Sequence, residues 1–216
     1  VPMVCYTRGD RMESQVCEEV QYRPIEHAPT FRHGATYLIV GGLGEVGEQI
    51  CQELGRHYKA ELVIFSRRSE SEANEAILRI ESASAKVIYR SVDILDEKAL
   101  SEAMLFLNEE GVVIHGVIHM ARQVANAPIM AKSYEEFRNV MSAKVQGVLN
   151  IDIATASEPI EFFLLFSSIA AFGIKGSPDY AYSNAFLNSM VNYRNDLLGQ
   201  DARHGRTLAI CWGQWE

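Results

Sequence analysis

A doubly wound α/β fold, with a parallel sheet covered by helices on both faces, is what this 216-residue sequence predicts, on three observations. From Ala35 onward, short runs rich in Val, Ile, Leu and Phe alternate with longer amphipathic stretches. Each run is four to eight residues long and largely apolar, as a strand covered on both faces must be. A glycine-rich turn, Gly41-Gly42-Leu43-Gly44, stands between the first run and the first amphipathic stretch. Strand–helix alternation closes into one sheet through right-handed crossovers, which make the strands parallel.

The elements follow in order. Tyr37–Val40 reads as the first sheet strand, and the glycine turn after it opens a helix over 45–58. Leu62–Ser66 is the second strand, followed by a helix over 70–83 that sets Ile77 and Ile80 on one side. Lys86–Arg90 is the third strand, and the helix over 96–110 carries Leu100, Met104 and Leu107 at three- and four-residue spacing. Val112–His119 is the fourth strand, 133–157 one long helix, Glu161–Ser167 the fifth strand, 179–199 the last helix and Thr207–Trp212 the sixth strand. Ahead of Ala35 lie three of the six prolines, and Met3–Tyr6 and Gln15–Tyr22 read as short strands around a polar turn, Arg8-Gly9-Asp10. Such a stretch is too short for a core of its own, so residues 1–34 are expected to be a β remnant of a preceding unit plus a connector. Residues 35–216 form the main domain, ending after the sixth strand.

Composition narrows the function classes. A hydrophobic fraction of 48% with 22% charged residues fits an ordinary globular domain and excludes a disordered or collagen-like chain. The net charge of −8 disfavours nucleic acid and anionic membranes as partners, because an acidic surface repels both. Cys5, Cys17, Cys51 and Cys211 form no CxxC pair and no secretory signal precedes them, which points to reduced thiols in a cytoplasmic protein. His115 and His119 are four apart but sit in a strand-like run, where that spacing is not a helical face, so no metal site is expected.

The first helix carries a candidate dinucleotide site. From Gly42 the sequence reads G-x-G-x-x-G, through Leu43, Gly44, Val46 and Gly47, with a strand before it and a helix after it. Glycines there, with Gly41, let the chain turn sharply and bring backbone N–H groups to a pyrophosphate at the helix N-terminus. At the end of the second strand, where an NAD-binding protein places an acid on the ribose, this chain has Ser66-Arg67-Arg68. Two guanidinium groups suit a 2′-phosphate, so NADPH is expected over NADH. Asp93, at the end of the third strand, is placed to approach the adenine.

The second cluster lies at the other end of the chain. A serine pair, Ser167-Ser168, closes the fifth strand near the carboxyl edge where open α/β sheets bind ligands. Tyr180 and Asn184 are four apart at the start of a helix and so share a face. Lys144, in Ala143-Lys144-Val145-Gln146-Gly147, sits inside the long helix upstream.

With these landmarks in place, the sequence from Arg32 to Trp215 resembles the short-chain dehydrogenase/reductase superfamily with its Rossmann-type sheet, and within it the ketoreductase domains of modular polyketide synthases. The matching segments are Tyr37–Gly44, Ser66-Arg67-Arg68, Gly116–His119, Ala143–Gly147, Phe166-Ser167-Ser168 and Tyr180–Asn184. Most short-chain reductases carry a lysine four residues after the tyrosine; the synthase ketoreductases have asparagine there and the lysine on the preceding helix, as Asn184 and Lys144 stand here. Val1–Tyr22 similarly looks like the end of the structural subdomain that precedes such ketoreductases.

The resemblance implies an oxidoreductase: NADPH-dependent reduction of a β-ketoacyl thioester held on an acyl carrier protein by phosphopantetheine, beside neighbouring domains of the same multienzyme. It makes Tyr180 the proton donor, and a free tyrosine, with a pKa near 10, needs help at neutral pH. Lys144 would stabilise the phenolate, Asn184 would orient Lys144, and a serine would hold the carbonyl oxygen. Counting back from Tyr180 selects Ser167, counting forward from Lys144 selects Ser168, and the stricter register of strands favours Ser168.

Some residues depart from the family pattern. Arg122, in His119-Met120-Ala121-Arg122, replaces a glycine where the backbone passes the cofactor. Neither stereochemical fingerprint is present, since Val124-Ala125-Asn126 and Phe172 stand at those places. A catalytically silent scaffold domain is therefore the rival reading, and a free-standing metabolic reductase is disfavoured by the Asn184/Lys144 arrangement. With no element after Trp212, a six-stranded sheet with an open cleft is expected, with Trp212 and Trp215 beside the nicotinamide or packed at the sheet edge.

Overall fold

The computed structural model describes residues 4–7, 10–13, 31–123 and 127–213. Six parallel strands form the main sheet: β3 (Thr36–Val40), β4 (Glu61–Ser66), β5 (Lys86–Ser91), β6 (Gly116–His119), β7 (Phe162–Ser168) and β8 (Arg206–Trp212). Their spatial order is β5-β4-β3-β6-β7-β8, so the winding direction reverses between β3 and β6. Among the described residues six α-helices accompany them: α1 (Glu45–Tyr58), α2 (Glu70–Glu81), α3 (Glu97–Glu109), α4 (Tyr134–Ser142), α5 (Gln146–Ala154) and α6 (Pro178–Leu198). This is the doubly wound Rossmann-type sheet that the alternation predicts.

Two cores follow from the strand alternation. Leu38, Val40, Val117, Phe163 and Leu165 face α3, α5 and α6, burying Leu107, Ile151 and Leu187. Tyr37, Ile39, Leu62, Ile64 and Ile118 face α1 and α2, burying Leu54, Cys51 and Ile80. Burial pushes the Cys51 thiol up to about 12, which makes it inert. Arg194 of α6 is fully buried and donates to Asp152 of α5 at 2.6 Å, tying the two helices together.

Three boundaries differ from expectation. The stretch read as one helix over 133–157 breaks into α4 and α5 at a turn over 143–145, where the Lys144 and Val145 amides share the Met141 carbonyl at 3.1 and 2.9 Å. The fourth strand begins at Gly116 rather than Val112, since its partner β3 starts at Thr36 and the first pair is Tyr37↔Gly116. Near the start, β1 (Val4–Thr7) and β2 (Asp10–Glu13) pair antiparallel from Val4↔Glu13 to Thr7↔Asp10. Asp10 therefore belongs to a strand and not to the turn, while the expected Gln15–Tyr22 strand lies outside the described residues.

Candidate active site

The parallel strands end along one edge of the sheet, whose order reverses between β3 and β6, and Gly41, Ser66, His119 and Ser168 stand at strand ends on that edge. Gly41 turns with φ +86°, and a Cβ on it would lie 2.6 Å from the Ala121 amide nitrogen. A Cβ on Gly47 would lie 2.6 Å from the Gly41 carbonyl oxygen, so the turn and α1 approach each other only as glycines. The Gly42 backbone is packed close to Gly47, and the Leu43 side chain is buried in the α1 core, with Val46 packed beside it.

The way α1 begins is informative. Ser69 and Ser133 cap α2 and α4 with full capping boxes, and Asp96 caps α3. At α1 the capping residue is Gly44, which offers no side chain to the free amides. A Cβ at Gly44 would meet nothing closer than 3.9 Å, which leaves open space in front of the helix. That cradle fits a phosphate group in place of a cap.

At the end of β4 the arginines diverge. Arg68 donates to the Leu43 carbonyl at 3.1 Å, and its amide bonds to Ser66 Oγ at 3.3 Å. Arg67 lies 3.2 Å from the Gln123 side-chain oxygen when that amide is oriented to satisfy both of its neighbours. Arg67 and Arg68 are both exposed residues. Asp93 Oδ1 accepts the Leu95 amide at 3.0 Å, so part of the carboxylate shapes its own turn.

The reacting end is built from buried groups. The α4–α5 break turns Lys144 inward, where Nζ donates to the Phe166 carbonyl at 2.6 Å and to Asn184 Oδ1 at 2.7 Å. Asn184 Nδ2 in turn donates to the Tyr180 carbonyl at 2.6 Å. Lys144 Nζ sits 5.3 Å from the centre of the half-buried Tyr180 ring. Burial pushes the Lys144 pKa down to about 7, helped by the positive charge of Arg122 and partly offset by Cys211. His119 at the end of β6 is fully buried with neither ring nitrogen well hydrogen-bonded; burial, then the charge of Lys144, holds its pKa at about 3.

The two serines take opposite faces of β7. Ser167 is buried and its hydroxyl donates to the Asn184 carbonyl at 3.1 Å. Ser168 is half-buried and, among the described residues, its hydroxyl accepts from the Ala170 amide at 3.1 Å and donates to none. Trp212 ends β8 opposite Ser168 and packs tilted against Phe166, with ring centres 5.1 Å apart. Trp215 and Val124-Ala125-Asn126 lie outside the described residues. Arg122 is exposed on the strand-end segment that presses against Gly41.

Two participants carry no clear sequence signal. Lys132 forms a buried ion pair with Asp179, immediately before Tyr180, and Gln123 bridges toward Arg67. Lys132 precedes an ordinary capping box and its partner is 47 residues away, so no local pattern marks it. A hollow of about 330 Å³ opens between Ala127-Pro128 and Ile174–Ser177. A larger one, about 610 Å³, lies along β5 and reaches Thr36 and His115, holding none of the site residues. Among the described residues no cluster of His, Cys, Asp and Glu could hold a metal, and no helix is long and apolar enough to cross a membrane.

Residues 35–216 match the family described as the KR domain. The chain is 34% identical over 214 residues to polyketide synthase PksN of Bacillus subtilis (strain 168), covering 98% of this chain and 4% of that protein. It is 33% identical over 212 residues to PksL of the same organism, covering 97% of this chain and 5% of that one. A ketoreductase domain from the bacillaene assembly line superposes with a TM-score of 0.85 at 30% identity, over 99% of this chain and 51% of that chain. An N-terminal ketoreductase from the macrolactin assembly line gives 0.79 at 27% identity, over 96% and 40%. The chain thus spans about half of the first solved relative, and a small part of each synthase. The glycine cradle, the lysine turned inward between α4 and α5 and the Tyr180–Asn184 face therefore stand in a known frame: the chain belongs to the KR-domain family, the ketoreductase domains of polyketide synthases with the short-chain dehydrogenase/reductase fold.

Proposed function

We propose that this domain uses NADPH to reduce a β-ketoacyl thioester, presented by an acyl carrier protein, to the β-hydroxyacyl thioester within a cytoplasmic synthase. The observation that carries the reading is the hydrogen-bonded run from Phe166 through Lys144 and Asn184 to the Tyr180 carbonyl.

The residues present fit the cofactor. The open α1 N-terminus would take the pyrophosphate, Arg67 and Arg68 the 2′-phosphate, and Asp93 the adenine edge. The bound nicotinamide supplies a hydride to the ketone carbon. Ser168 donates a hydrogen bond to the ketone oxygen and holds it for attack. Tyr180 gives its proton to that oxygen as negative charge builds there. Lys144 places its charge near the phenol, and Asn184 and the Phe166 carbonyl fix where that charge sits. One hydride and one proton are consumed for each alcohol formed.

Arg122 favours a second reading, a silent scaffold, because its charge works against the Lys144 ammonium. Incubation with NADPH and a diketide β-ketothioester decides between them. The expected result is NADPH oxidation with one hydroxythioester per cofactor consumed; no turnover and no cofactor binding would leave the scaffold.

A further inference from the structure

Lys132 and Asp179 make an ion pair sealed from solvent, with side chains 2% and 0% exposed. Asp179 lies in the first turn of α6, and its other oxygen, Oδ1, accepts the Tyr180 amide at 2.9 Å. Lys132 directly precedes Ser133, whose capping box starts α4. Five residues upstream, the Ala127 amide donates to the Gly176 carbonyl at 2.9 Å. The strap over 127–132 is therefore fastened at one end to the loop leading into α6 and at the other to the first turn of α6, and the 330 Å³ hollow opens between the strap and that loop. Ile129 and Met130 on the strap are 60% and 95% exposed, so the strap is held by its fastenings rather than by burial of its own side chains.

A buried ion pair is a costly way to join two segments, because both ions lose their water and apolar residues of similar size join them as well. What the pair does that apolar residues could not is to leave a carboxylate oxygen aimed at the Tyr180 amide. We propose that Lys132 and Asp179 are a positioning pair that fixes the first turn of α6, and so the Tyr180 phenol, against Lys144 and the ketone. This rests on the assignment of Tyr180 as proton donor. Without the Lys132 charge, the Asp179 carboxylate is stranded in the interior and turns toward water, drawing the first turn with it.

Lys132→Met, Asp179→Asn and the double variant test this with NADPH and a diketide β-ketothioester. The expected kcat falls roughly ten- to a hundredfold in each, with KM and NADPH dissociation within about twofold of wild type. Lys132→Arg should recover most of the rate, and the double variant should be no slower than the slower single. Unchanged kcat in a folded single variant, or a loss confined to KM, overturns the proposal. Where the singles do not fold, the double variant, which strands no charge, decides: wild-type kcat overturns the pair and a lowered kcat supports it. A wild-type protein that oxidises no NADPH overturns the reduction reading instead. Amide hydrogen exchange then judges the pair, with faster exchange at Tyr180 and across 127–132 expected in Lys132→Met, and unchanged exchange overturning it.

Discussion

Arg68 and Leu43, 25 residues apart, join at the exposed rim of the cofactor half, whereas Lys144 and Asn184, 40 residues apart, join in the buried floor of the reacting half. The rim holds its charges in water, and a guanidinium there keeps most of its interaction for whatever anion arrives. The floor has already taken its charge out of water, and Lys144 shows the consequence in a pKa lowered to about 7. Under the proposed function, one half would receive charge from a ligand and the other would meet the charge that develops during reaction. The fold serves both by placing the first at a helix end that lacks a side-chain cap and the second at a break between two helices.

That contrast puts the largest single effect in the buried half. Tyr180→Phe should lower turnover by about 10²–10⁴-fold, the range for losing a general acid, while NADPH binding persists because the rim is untouched. Steady-state rates beside cofactor titration measure both, and near-wild-type turnover would remove Tyr180 from the chemistry.

Next comes the rim. Replacing Arg67 and Arg68 together with alanine should weaken NADPH binding by about 1.5–3 kcal/mol for each charge-assisted hydrogen bond removed, and leave NADH nearly unchanged. Calorimetry with the two cofactors compares them directly; equal losses would sink the 2′-phosphate assignment.

The smallest effect is one of stability, and it sharpens the buried side. Lys144 has a pKa of about 7 in the folded protein against an ordinary 10.5, so between those values the unfolded chain binds more protons than the folded one. Stability from this group therefore rises with pH across that window, and the penalty for burying the ammonium is fully present below pH 7. Denaturant melts at pH 7 and pH 9 should show wild type gaining about 2 kcal/mol relative to Lys144→Met. A gain with the opposite sign would mean that Lys144 is better solvated than its burial implies.

Much of this is legible in the sequence. The six sheet strands, the glycine turn and the paired arginines are local patterns, and each sits within a few residues of where periodicity puts it. The reading of 133–157 as one helix fails because nothing local announces the break; an inward pull on Lys144 from Phe166 and Asn184 is a tertiary fact. The serine pair shows the same limit. Counting can weigh Ser167 against Ser168, but only the hydrogen bond from Ser167 to Asn184 shows which hydroxyl is already committed.

The sequence by itself determined the parallel sheet, the order of its elements, the uncapped glycine start of α1 and the residue types at the two clusters, since these depend on spacing along the chain. Tertiary structure alone decided which of those residues meet and in what state of solvation. Lys144 became a buried amine with a pKa lowered to about 7, His119 was sealed in neutral form, and Lys132 found Asp179 across 47 residues. Burial and long-range pairing are properties of packed surfaces, and no spacing rule along one strand or helix encodes them.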